Sequence, residues 1–208
     1  MLSVHTSQQG FTLIEMLVSL ALFTIIATTS VGTLLVIIGG NAQSVAEQSA
    51  MNNLSFALDS MTREIRTGTE YYCGTVSQVS GASVVTSNSI TQNCATGADG
   101  ISFREAGTSI TGGTGQKRIA YYFDATEGTI MRKVGNQDAV RMIGEDVRIN
   151  NARFFVTGST RMTVGAVSNA SDIRQPSVTI SLDATANSAD TFRDFVVQTT
   201  VTQRTLDI

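Results

Sequence analysis

The sequence predicts an α+β chain. A long N-terminal α-helix, transmembrane and then amphipathic, packs on an antiparallel β-sheet domain. Three observations carry this. From Met16 to Ile38 no residue is charged. Beyond it, Met51, Leu54, Leu58, Met61 and Ile65 recur at spacings of three and four, one stripe on a helix. After residue 68, Ser, Thr, Gly and Asn dominate and the apolar pattern shifts to short alternating segments, a composition for a turn-rich β-domain.

At 208 residues the length fits one folded domain plus an anchor. The net charge of −3 gives no strong attraction to nucleic acid or anionic lipid.

Residues 1–10 form a short polar leader, set apart from the fold. Its only basic candidate is His5, so the positive-inside signal is weak. The apolar run follows. At ~1.5 Å per residue a helix over Met16–Ile38 spans roughly 35 Å, against a bilayer core of ~30 Å. Glu15 stands at its front. A carboxylate at membrane depth costs a few kcal/mol, which marks it as functional and in need of a partner. A secretory signal would have an apolar core of only ~7–15 residues, with a small-residue cleavage site behind it.

Thr24, Thr28, Thr29, Ser30 and Thr33 are tolerated within the run because hydroxyls bond back to helix carbonyls. Gly32 and Gly39-Gly40 are soft points where the helix is free to bend. Asp59 and Arg63 form a favourably oriented i,i+4 pair, and Thr67-Gly68 is a stop signal. One helix is therefore expected over about 11–67, with its membrane span at about 13–38.

The stretch Gly10-Phe11-Thr12-Leu13-Ile14-Glu15-Met16-Leu17-Val18 resembles the processing site and helix start of type IV pilins and type II secretion pseudopilins. The resemblance implies a pilin-like fold. It implies cleavage between Gly10 and Phe11 by a prepilin peptidase, and N-methylation of Phe11. It also implies filament assembly with other pilin or pseudopilin subunits, served by an assembly platform and ATPase. Gly10 suits a protease cleft because its backbone lies open. After cleavage the Phe11 amine is positive, and Glu15 of a neighbouring subunit would pair with it in the filament; a buried pair costs less than either charge alone. Pairing with its own amine, near the helix N-terminus, is the alternative.

From Tyr71 the pattern is strand-like. Cys73 and Cys94 can form a disulfide outside the cytoplasm; between them a short hairpin near Ser83-Val84-Val85 is expected. Ile101–Arg104 reads as a strand and Gly107–Gly115 as a flexible loop. Lys117–Asp124, a Glu127-Gly128 turn and Thr129–Val134 read as a hairpin. Val140–Ile149 fits either a short helix or two strand pieces. Arg153–Thr157 is a strand, Pro176 opens another at Ser177–Leu182, and Arg193–Thr205 is a long last one. Segments 74–98 and 158–175 are linker-like. In layout this is similar to larger minor pilins and J-type pseudopilins, with residues 68–208 as an extracytoplasmic head.

No catalytic residues are expected. With His5 in the leader, a Ser-His-Asp or Cys-His site is ruled out in the mature chain, and zinc lacks ligands. Gly112–Lys117 lacks the end of a phosphate loop, and Asp124–Gly128 lacks EF-hand spacing. Arg132, Lys133, Arg141, Arg148 and Arg153 are interleaved with acids, a mixed surface and not a DNA strip. No cofactor and no metal are expected.

The expectation is a minor type IV pilin-like subunit. It would lie in the cytoplasmic membrane, single-pass in lipid with the head outside, and then in a pilus or pseudopilus at the periplasm or cell surface. Two alternatives stand: a type II secretion minor pseudopilin, and a signal-anchored extracytoplasmic binding module unrelated to filaments.

Overall fold

The computed structural model describes residues 10–81, 84, 90–105, 118–159, 175–187 and 192–204. Helix α1 runs Leu13–Thr67. The chain divides into two compact units, 1–45 and 46–208.

In the first unit the helix is apolar on every side and its side chains are exposed. It is long and apolar enough to cross a bilayer. The threonine hydroxyls inside it are satisfied locally. Thr28 Oγ1 donates to Thr24 O at 2.9 Å, Thr29 Oγ1 to Ile25 O at 3.0 Å and Thr33 Oγ1 to Ser30 O at 2.9 Å. Helical structure continues through Gly32, Gly39 and Gly40, and a Cβ at any of them would meet nothing within 4 Å.

In the second unit one face of α1 is buried: Ala50, Leu54, Ala57, Leu58, Met61 and Ile65. Met51, expected in the stripe, is 45% exposed, and Ala50 is buried instead. The helix ends where Gly68 N donates to Glu64 O and Ile65 O, both at 3.0 Å. A Cβ at Gly68 would lie 2.4 Å from Phe103 Cδ2, so close approach requires glycine there. The Tyr71 hydroxyl lies 2.6 Å from Ile65 O and 2.8 Å from Gly68 O, so it fastens β1 to the end of the helix.

Two antiparallel sheets follow. The first has order β1-β3-β4-β5-β6: β1 Thr69–Gly74, β3 Gly100–Arg104, β4 Arg118–Asp124, β5 Thr129–Val134 and β6 Val140–Arg141. The second has order β2-β7-β8-β9: β2 Cys94–Ala98, β7 Val147–Thr157, β8 Ser177–Asn187 and β9 Phe192–Thr202. The hairpin expected from Glu127-Gly128 is β4–β5, with Asp124 opposite Thr129. Asp124 Oδ1 accepts from Thr126 N and Glu127 N, and Gly128 takes φ +60. Val140–Ile149 resolves into strand pieces, β6 and the start of β7.

The described residues of segment 74–98, expected as a linker, hold a short helix, α2 Val76–Val79, and strand β2. Strands β8 and β9 pair over Ser177–Asn187, beyond the expected end at Leu182. The loop expected at Gly107–Gly115, the hairpin at Ser83-Val84-Val85 apart from Val84, and most of 158–175 lie outside the described residues, as does residue 205.

The core gathers the helix stripe and the inner faces of both sheets, with Leu54, Met61, Phe103, Tyr121, Phe154 and Ile180 among its members. At roughly 25 cal/mol per Å² of apolar surface removed from water, such burial dominates the stability of this unit.

Candidate functional site

Gly10, Phe11 and Thr12 precede the helix in non-helical backbone. Phe11 is 78% exposed, and a Cβ built at Gly10 would touch nothing. Thr12 caps the helix: its Oγ1 accepts from Glu15 N at 3.3 Å, and Thr12 O accepts from Met16 N at 3.2 Å. Thr12-Leu13-Ile14-Glu15 is thus the S/T-x-x-E spacing of a capping box. That local signal adds a structural role to the motif which the sequence reading had passed over. Only the Thr12 half of the box is made. Among the described residues the Glu15 carboxylate has no side-chain partner, although it lies in the first turn, where the helix dipole favours an anion. The first turn therefore presents an exposed acid at the front of the uncharged apolar stretch Met16–Ile38, with an exposed, unhindered Gly10-Phe11 bond just ahead of it.

The leader, residues 1–9, lies outside the described residues. Cys73 and Cys94 are joined as a disulfide. Both sulfurs contact Phe154 O, at 3.4 and 3.2 Å, so the bridge rests on β7 as it ties β1 to β2.

The basic residues singled out in the sequence do not form a strip. Arg132 pairs with Glu64 at 2.9 Å, and Arg153 with Asp99 at 3.1 Å. Arg141 reaches Glu145 at 3.7 Å and Glu127 O at 3.1 Å, and Lys133 Nζ donates to Ser80 O. Arg148 lies over Gly128 in the turn. Among the described residues no group of His, Cys, Asp and Glu could hold a metal ion. Gly112–Lys117 lies outside the described residues.

Two polar clusters were not legible in the sequence. In the first, Glu64 on α1 accepts from Tyr121 Oη at 2.6 Å and from Arg132 Nε at 3.1 Å. Burial, then the Glu64 hydrogen bond, push the Tyr121 phenol well above its ordinary value. Burial alone would lower Arg132, but Glu64 outweighs it and holds the guanidinium up. In the second, Arg104 Nη1 lies 3.3 Å from Glu70 Oε1. Arg118 Nη2 donates to Glu70 O at 2.6 Å and Arg118 Nε to Ser102 Oγ at 3.0 Å. Burial pulls Arg118 down to about 10, still charged at neutral pH. Glu70 is buried at φ 56, a left-handed backbone for a residue with a side chain. The first cluster ties α1 to the first sheet and the second joins strands of that sheet, both within the second unit.

Comparison with known proteins is specific to the N-terminus. The family described as a prokaryotic N-terminal methylation motif matches residues 5–31. No curated protein and no solved structure matches the chain significantly. The matched segment holds Gly10, Phe11, Thr12 and Glu15, and the chain couples it to a long helix and antiparallel sheets. That motif supports a type IV pilin-like family, and the long helix packed on antiparallel sheets is consistent with a pilin-like fold.

Proposed function

We propose that this chain is a minor type IV pilin-like subunit. In this reading residues 1–10 are a leader removed by a prepilin peptidase at Gly10-Phe11, and Phe11 is then N-methylated. Residues 11–67 form the long helix, crossing the membrane at about 13–38 before assembly. Residues 68–208 are the extracytoplasmic head. The subunit then enters a pilus or pseudopilus with other pilin-like subunits, through an assembly platform and ATPase.

The observation that carries this reading is Glu15, the one acid on the bare apolar part of the helix, without a side-chain partner among the described residues. Moving a carboxylate into a low-dielectric filament core is costly unless a cation meets it, and a new Phe11 amine on a neighbouring subunit is that cation. The Cys73–Cys94 bridge supports an oxidising compartment for the head. The size of the head favours a low-copy subunit over a main structural one.

Mass spectrometry of the N-terminus of protein from its native membrane is the test. The expected result is a chain beginning at methylated Phe11. An intact Met1, or a cut near Ser30, would instead favour a signal-anchored module.

A further inference from the structure

Strand β9 is the last strand of the second sheet, and among the described residues no strand pairs with its outer edge. Its full length, Phe192–Thr202, pairs with β8 on the other side. Such an edge is a row of unpaired amides and carbonyls, and proteins normally blunt it with Lys, Pro, a bulge or a short strand. This edge has no Lys, Pro or bulge in its sequence FRDFVVQTTVT; its charges, Arg193 and Asp194, sit near its start, and its register with β8 is unbroken.

The two faces beside the edge are also unfinished. On the core side, Ile180, Leu182 and Ala184 of β8 are fully buried, while Phe195 and Val197 of β9 are only partly covered. There a groove of about 270 Å³ runs along Met51, Ala186 and Phe195, with Glu47 and Asp194 at its rim. On the opposite face Val196 is 71% exposed. Asp194 is exposed beside it and accepts from Thr185 Oγ1 at 2.6 Å.

We propose that β9 is a docking edge for an extended segment of another polypeptide, which adds as a further strand to this sheet. The edge determines the chemistry of the partner. Only a strand backbone completes the ladder. Successive side chains of that strand fall on opposite faces, so two adjacent apolar residues would meet Phe195 and Met51 on one side and Val196 on the other. A Lys or Arg nearby would face the Asp194 carboxylate. This inference rests on the sheet edge and not on the N-terminal processing reading, so either can fail alone.

The test uses the full chain in detergent micelles and an acetylated probe peptide, Lys-Val-Ile flanked by Thr. In the free chain, amide exchange by NMR should alternate along β9, every second amide fast; on peptide binding the fast ones should slow. Backbone N-methylation of the probe should weaken binding by about tenfold or more, since it removes ladder hydrogen bonds. Val196→Lys should do the same, while Val196→Thr, which keeps a β-branched residue, should bind within about threefold of the parent. Uniform protection of β9 in the free chain would overturn the proposal, because the chain would then cover its own edge. So would equal binding of the N-methylated probe, or no saturable binding.

Discussion

The two parts of α1 make opposite use of the same backbone. Around Leu20, which is 62% exposed, every face of the helix is apolar and bare. Around Met61, which is fully buried, only one face is apolar and it is covered. A helix apolar all round needs a surrounding apolar medium, whether lipid or other helices. A helix apolar on one stripe needs only a sheet, and the head supplies it. The first part therefore takes its stability from an environment outside the chain, and the second part carries its partner with it.

Core truncation should separate the two parts most sharply. Met61→Ala should lower the unfolding free energy of the head by about 2–5 kcal/mol, whereas Leu20→Ala should leave head unfolding unchanged. Denaturant melts of both variants in micelles check this; equal losses would erase the distinction. Cys73→Ser comes next. Opening the loop to Cys94 should cost the head about 3 kcal/mol under oxidising conditions and nothing extra under reducing ones.

The contact of Glu64 with the sheet gives a pH-dependent handle. The folded Tyr121 phenol is held above the ordinary tyrosine value, so the unfolded chain loses that proton first. The stabilisation is complete below pH ~10 and declines as pH rises past it. Tyr121→Phe should flatten that decline relative to the parent. Arg118 is lowered and so acts in the opposite direction over the same range, but it is common to both proteins and cancels in the comparison. The smallest effect belongs to the Asp59–Arg63 pair at 3.1 Å on the exposed face of the helix. Asp59→Ala should change stability by less than about 0.5 kcal/mol.

What the sequence shows clearly is what repeats locally. The helix end at Thr67 follows from Thr67-Gly68, and the β4–β5 hairpin from Glu127-Gly128, because the signals sit next to the structures they specify. Ala50 was missed in favour of Met51 because alanine carries almost no hydrophobic signal. The split into two sheets was hidden because β2 pairs with β7, far along the chain, and Cys94-Ala-Thr-Gly-Ala has no alternation. Glu70, Arg104 and Arg118 were hidden because charged residues in strands read as surface. The N-terminal motif was legible residue by residue, since its signal lies in consecutive positions. The partner of Glu15 was not, because on this reading it belongs to another chain.

The most direct measurement is the fate of Glu15→Ala in the native cell, read at both the N-terminus and the filament. The expected result is normal cleavage and methylation at Phe11 together with loss of the subunit from sheared filaments. Incorporation of the variant at the parental level would contradict the charge-pairing role and, with it, the central reading of this helix.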